Sequence, residues 1–134
     1  MVSVAIEDYL RAVFVLEERK VNVKSKDLSE YLGVSKNTVS QMLYKMSSEG
    51  LVVFKKYSRN IKLSKKGLAL AKNLTFKHRL IEKFLVDVLK RSPEKVHFEA
   101  HKLEHAFSNE SIKAMEKLLG NPALDPHGRE IPKI

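Results

Sequence analysis

Residues 25–63 read SKDLSEYLGVSKNTVSQMLYKMSSEGLVVFKKYSRNIKL, and the order of elements in this stretch decides the fold. Ser25 stands where a helix cap is expected, a short helix runs to Tyr31 and Leu32, and Gly33 supplies the turn that ends it. Ser35 caps the next helix, in which Val39, Met42, Leu43 and Met46 recur at three- and four-residue spacing as a buried stripe. Helix, glycine turn and helix is the helix-turn-helix arrangement. After Gly50, Leu51 to Phe54 reads as a strand, residues 55–60 as a polar turn, and Ile61 to Leu63 as a return strand: a hairpin, or wing, with a basic tip. Lys36, Asn37, Ser40, Gln41, Tyr44 and Lys45 face away from the stripe, and Ser35 and Thr38 join them at the N-terminal turn. Such side chains read base edges or hold phosphates, and Lys55, Lys56 and Arg59 at the wing tip suit the phosphate backbone beside a groove.

Upstream, Ser3 caps a helix with Ile6, Leu10, Val13 and Phe14 on one face and Glu7 and Asp8 in its first turn, ending near Arg19 or Lys20. The whole chain has 134 residues, 43% hydrophobic and 31% charged, enough for one compact domain or two small ones sharing a core. Lysine and arginine number 25 against 16 acidic residues, a net charge of +9. The excess is N-terminal: residues 1–72 carry 14 basic and 7 acidic side chains, net +7, and residues 73–134 carry 11 and 9, net +2. Residues 50–81 hold nine basic side chains and no acidic one. That pattern favours a nucleic-acid partner; the competing reading is a tri-helical protein-interaction domain kept soluble by its lysines. The absence of cysteine excludes a disulfide framework, a cysteine zinc finger, an iron–sulfur cluster and a thiol nucleophile. No apolar run has the length of a membrane span, and Glu7, Asp8 and Arg11 fall where a signal peptide is apolar, so a cytoplasmic protein is expected.

The second half carries a different chemistry. A long helix from Ser64 to about Leu89 places His78 and Glu82 one turn apart. Ser92, Pro93 and Glu94 read as the start of another helix, running to about Phe107. On it His97, His101, Glu104 and His105 share an arc of roughly 100 degrees beside an apolar stripe of Val96, Ala100, Leu103 and Phe107. Imidazole and carboxylate suit borderline divalent ions. Asp8, His78, Glu82, His97, His101, Glu104 and His105 are the candidate ligands, against the plainer reading of a solvated histidine-rich face. A hydrolytic zinc site is a further alternative, although no His-Glu-x-x-His motif supports it. After a cap at Ser108, the apolar residues Ile112, Met115, Leu118 and Leu119 are expected at a helical dimer surface. Residues 121–134, with Pro122, Pro126 and Pro132, read as an extended segment covering the dimer, and His127 as a packing or hydrogen-bonding residue.

The stretches Lys77-His78-Arg79-Leu80-Ile81-Glu82 and Val96-His97-Phe98-Glu99-Ala100-His101-Lys102-Leu103-Glu104-His105, following a winged helix-turn-helix, resemble the diphtheria toxin repressor family of metal-dependent regulators. Glu7-Asp8-Tyr9-Leu10, Thr38-Val39-Ser40, Glu49-Gly50-Leu51-Val52 and Pro126-His127-Gly128 extend the resemblance over nearly the whole chain. It resembles the short form, without an SH3-like domain. The resemblance implies a mainly α fold, with a winged helix-turn-helix DNA-binding domain over residues 1–72 and a helical metal-binding and dimerisation domain over residues 73–134. It further implies a homodimeric repressor of metal-uptake genes, not an enzyme, with no membrane or small-molecule substrate. Such a repressor binds a palindromic double-stranded operator when Fe(II) or Mn(II) acts as corepressor, and Zn(II), Co(II) or Ni(II) are other ions its donors accept. Carried over by position, Asp8, His101, Glu104 and His105 match one metal site, and His78, Glu82 and His97 match the other. Two positions depart from the family pattern. Position 101 is usually Cys in iron-type members and Glu or Asp in manganese-type ones, and Arg11 stands where manganese-type members place a carboxylate. A winged-helix regulator indifferent to metal is the nearer alternative, a metal-dependent hydrolase the more distant one.

Overall fold

A computed structural model of the chain describes residues 2–20, 22–54 and 60–134. Its elements are α1 (Val4–Arg19), α2 (Ser25–Leu32), α3 (Lys36–Ser48), β1 (Val52–Phe54), β2 (Ile61–Leu63), α4 (Lys65–Asp87), α5 (Val96–Leu103) and α6 (Asn109–Leu118). They form two compact units, Met1–Lys72 and Asn73–Ile134, and the division falls within α4. No helix among the described residues is long and apolar enough to cross a membrane.

In the first unit, the Ser3 hydroxyl caps α1 by accepting from the Ile6 N–H at 3.2 Å. This aims Ile6, Tyr9, Leu10, Val13 and Leu16 into a core shared with Leu28, Val39, Leu43, Met46, Leu51 and Ile61. The cap of α2 differs from the sequence expectation. Lys24 holds the cap position and Ser25 is the first helical residue; the Asp27 carboxylate reaches back to accept the Lys24 N–H at 2.9 Å, and Lys20 Nζ lies 3.1 Å from both its oxygens. A carboxylate three residues into the helix satisfies the exposed donor and also favours the positive end of the helix dipole. Gly33 then takes a left-handed conformation, φ 67°, and Ser35 caps α3 by accepting from the Thr38 N–H at 3.1 Å. On α3 the buried stripe is Val39, Leu43 and Met46, with Met42 packed at its margin.

The strand starts at Val52, one residue later than expected. Leu51 is spent on the turn, its N–H bonded to Met46 O at 2.9 Å and its carbonyl to the Ser64 N–H at 3.0 Å. β1 and β2 pair antiparallel, with Val52 opposite Leu63, Val53 opposite Lys62 and Phe54 opposite Ile61. Ile61 also bridges to Val23, whose carbonyl accepts its N–H at 2.8 Å. The first turn of α4 lies directly on this junction: a Cβ at Gly67 would stand 2.0 Å from Leu51 O, so glycine is what permits the approach.

In the second unit, Phe76, Leu80, Ile81 and Leu85 of α4 pack with Val96 and Ala100 of α5, Ile112 and Met115 of α6, and Ile131. Ile112 and Met115, expected at a dimer surface, are therefore consumed by the unit's own core, while Leu118 is 68% exposed. α5 begins at Val96 rather than at Pro93. The Ser92 hydroxyl is engaged by the Glu94 carboxylate instead of capping, and the Lys95 N–H bonds to Ser92 O at 3.0 Å in a turn. α5 also stops at Leu103, which leaves Glu104 at its C-cap and His105 and Phe107 beyond it. The C-terminal segment folds back within the unit. Leu124 bridges to Glu130, Gly128 takes φ 81°, and Arg79 Nη1 donates to Glu130 O at 2.6 Å.

Candidate functional site

His78 stands at the centre of a buried polar cluster. Its Nδ1 lies 2.7 Å from Glu104 Oε1, and its Nε2 lies 3.3 Å from Glu82 Oε1 and 3.1 Å from His97 Nδ1. His78, Glu82 and Glu104 are all buried, an expensive arrangement for two carboxylates unless compensating charge and hydrogen bonds are present. His97 Nδ1 is 3.9 Å from Glu82 Oε2, and His101 Nδ1 is 3.7 Å from Glu104 Oε1. The rings of His101 and His105 meet edge to face with centroids 5.6 Å apart. Burial pushes the Glu82 carboxyl upward, but the hydrogen bond from His78 and the charges of His78, His127 and His97 outweigh it. The net result holds Glu82 below the usual carboxylate range.

These residues fit a divalent transition ion. His78, Glu82 and His97 each present one donor atom, all within 4.8 Å of one another. Two ligands bonded to one ion at about 2.0–2.2 Å stand about 3 Å apart when adjacent, close to the shorter separations observed. Glu82 Oε2 is buried and has no hydrogen-bond partner among the described residues, the kind of unsatisfied anionic oxygen that a cation satisfies.

The structure brings His78, Glu82 and His97 together, and links Glu104 and His101 to them through the shared contact at Glu104 Oε1. Asp8 lies half-buried on α1 of the first unit, and Arg11 is buried on the same helix. The sequence reading missed Asp125, and it assigned His127 only a packing or hydrogen-bonding part. His127 does bond to Pro93 O, at 2.8 Å through Nε2, yet its Nδ1 is also 3.6 Å from Glu82 Oε2. The signal available was Asp125-Pro126-His127-Gly128, a carboxylate and an imidazole two residues apart in a proline–glycine turn.

On α3 the side chains of Lys36, Asn37, Thr38, Ser40, Gln41 and Lys45 are exposed, as is Ser35 at its cap. The hydroxyls of Ser35 and Thr38 lie 2.9 Å apart, so both help to build the helix start. Lys36 to Lys45 present donors and acceptors outward from a helix whose opposite face is locked into the core. Lys55, Lys56 and Arg59 lie outside the described residues.

Comparison with known proteins gives this architecture a family. Residues 1–59 match the family model "Iron dependent repressor, N-terminal DNA binding domain", and residues 64–133 match "Iron dependent repressor, metal binding and dimerisation domain". The iron-dependent repressor IdeR of Mycobacterium tuberculosis is 40% identical over 128 residues, which are 96% of this chain and 55% of that protein. The diphtheria toxin repressor of Corynebacterium diphtheriae is 36% identical over 128 residues, 96% of this chain and 56% of that protein. A solved manganese-dependent transcriptional repressor in complex with manganese aligns with a TM-score of 0.88 at 36% identity, over 96% of this chain and 58% of that one. The chain thus spans just over half the length of the curated relatives it matches. In sequence, and in its winged helix-turn-helix followed by a helical unit, the chain belongs to the iron-dependent repressor family.

Proposed function

We propose that the chain is a homodimeric, metal-responsive transcriptional repressor whose affinity for duplex DNA rises when Fe(II) or Mn(II) is bound. One observation carries the reading: a buried cluster of imidazole and carboxylate donors centred on His78, in a chain whose other unit exposes a polar recognition helix. The proposed ligands are His78, Glu82 and His97 for one ion, and His101, Glu104 and His105 with Asp8 for another. A bound divalent ion supplies positive charge to carboxylates that are otherwise costly to bury and fixes the orientation of the imidazoles.

Asn37, Ser40 and Gln41 carry the hydrogen-bonding groups for base edges, and Lys36 and Lys45 the charges for phosphates, with Ser35 and Thr38 at the helix start. Lys55, Lys56 and Arg59 of the wing are proposed as further phosphate contacts. We read the protein as a regulator rather than a hydrolase because the polar face of α3 has no part in hydrolysis. A gel shift on the DNA upstream of its own gene, with Mn(II), Fe(II) or Zn(II) against chelator, tests the proposal. Retardation should need metal and be lost in His105→Ala; equal retardation with metal and with chelator refutes metal control while leaving DNA binding intact.

A further inference from the structure

Building on the DNA-binding reading above, we propose that Tyr44 is a specificity-determining residue whose ring packs against the 5-methyl group of a thymine in the major groove of each operator half-site. Its place on α3 points there first. At about 100 degrees per residue, Asn37, Gln41, Tyr44 and Ser48 fall on one ridge roughly 60 degrees wide, nearly opposite the buried Val39, Leu43 and Met46. All four are exposed, and the exposed Lys36 and Lys45 flank the ridge on either side. The pattern suits a duplex, with lysines toward its phosphates and the ridge toward its base edges.

Nothing in the fold calls for an aromatic side chain at this point. Tyr44 is 80% exposed, the most open large hydrophobic side chain among the described residues, and it makes no hydrogen bond, ion pair or ring contact with them. Ser48, next on the ridge, spends its hydroxyl on the end of the helix by donating to Lys45 O at 2.7 Å. Tyrosine is also a weaker helix former than lysine, glutamine or glutamate, so the solvent face gains no propensity from it. A lone exposed apolar residue is ordinary. One in line with Asn37 and Gln41 on a recognition helix is placed for contact.

The chemistry of the groove selects the contact. Asn37 and Gln41 offer amides, which pair with the donors and acceptors of base edges, whereas the apolar group that base pairs present in the major groove is the thymine methyl. A phenol ring supplies the matching apolar surface. Tyr44 stands three residues beyond Gln41, about 4.5 Å along the helix axis, against about 3.4 Å between stacked base pairs, so it addresses a neighbouring base pair. A recognition helix meets the bases with its N-terminal residues, so later turns stand farther off and a long, rigid side chain spans that distance. Insertion between base steps is a minor-groove device and does not suit a helix in the major groove. The hydroxyl at the tip of the ring stays in water at the groove edge.

The test uses the full chain with saturating Mn(II) and compares the unmodified protein with Tyr44→Phe and Tyr44→Ala, with matching thermal unfolding as the check on folding. Selection from a randomised duplex pool should yield a thymine in each half-site that the unmodified protein and Tyr44→Phe prefer and Tyr44→Ala does not. Replacing that thymine by deoxyuridine removes only the methyl group. It should weaken binding by the unmodified protein and by Tyr44→Phe about 4-fold per half-site and leave Tyr44→Ala unchanged. Absence of such a thymine, or an equal loss on deoxyuridine in all three proteins, overturns the methyl contact. Loss of the preference in Tyr44→Phe as well assigns it to the hydroxyl and overturns the ring packing. Failure of the unmodified protein to retain any duplex overturns the DNA-binding reading itself.

Discussion

The imidazole of His78 is held between two buried carboxylates, with Glu104 Oε1 2.7 Å from Nδ1 and Glu82 Oε1 3.3 Å from Nε2. One ring therefore ties α4 to the end of α5 and offsets the desolvation of both acids. Removing it strands two carboxylates together in a low-dielectric interior. His78→Ala should destabilise the chelator-treated protein by about 3 kcal/mol, measured by urea unfolding. A loss below about 0.5 kcal/mol, the scale of an ordinary surface substitution, would show that the cluster is solvated or neutral without its histidine.

Gly67→Ala reverses an ordinary rule. Alanine in place of a helical glycine normally stabilises by about 1 kcal/mol. Here the new methyl carbon would meet Leu51 O at 2.0 Å, and Leu51 O is held by the Ser64 N–H, so α4 must move off the wing junction. A net loss of about 2 kcal/mol is expected in denaturant unfolding. A gain would mean that α4 does not approach Leu51 as closely as described.

Asp27→Ala should cost about 1 kcal/mol at neutral pH by removing the acceptor that closes the start of α2. The Lys24 N–H chiefly, and Lys20 in addition, hold the Asp27 carboxyl below the usual range. A lowered folded-state value means that the contribution is fully present above the unfolded aspartate value of about 3.9 and is lost as pH falls through the folded value. The gap in unfolding free energy between the two proteins should therefore be constant from pH 7 to 5 and close at lower pH. A gap that widened with acid would contradict this assignment.

Gln41→Ala and Lys45→Ala should separate the two tasks of α3, since both side chains are exposed but only lysine is charged. Lys45→Ala is expected to weaken binding evenly across duplex sequences and to reduce the salt slope by about 1. Gln41→Ala should relax preference at a base position at a cost of about 1–3 kcal/mol, with the salt slope preserved. Selection from a randomised duplex pool, repeated at several salt concentrations, reads both effects.

Where the sequence was legible, the deciding interactions were local. Ser3 and Ser35 act within three residues of themselves and Gly33 within four, and the strands β1 and β2 are short apolar runs close in sequence. Ser92 misled because Ser-Pro-Glu has the composition of a helix start, while its hydroxyl finds the Glu94 side chain and the helix waits for the buried Val96. Ile112 and Met115 form an amphipathic stripe that fits a dimer or a core equally well, and only the packing against Ile81 and Val96 resolves it. Glu104 shares its arc with one exposed and two half-buried histidines, yet its burial depends on His78, 26 residues away. Asp125 and His127 reach Glu82 only because Arg79 and the Leu124–Glu130 bridge fold the C-terminal turn back, a long-range outcome that no local pattern encodes.

Metal control of DNA binding is the central claim, and reciprocity gives its most direct test. The affinity of a fluorescent operator duplex is measured by anisotropy at zero and saturating Mn(II), and the affinity for Mn(II) is measured with and without the duplex. If a single conformational equilibrium links the two, each ligand tightens the other by the same factor, about 5- to 150-fold. A factor of one in both directions would contradict the account, leaving a DNA-binding protein and a metal-binding cluster with no connection between them.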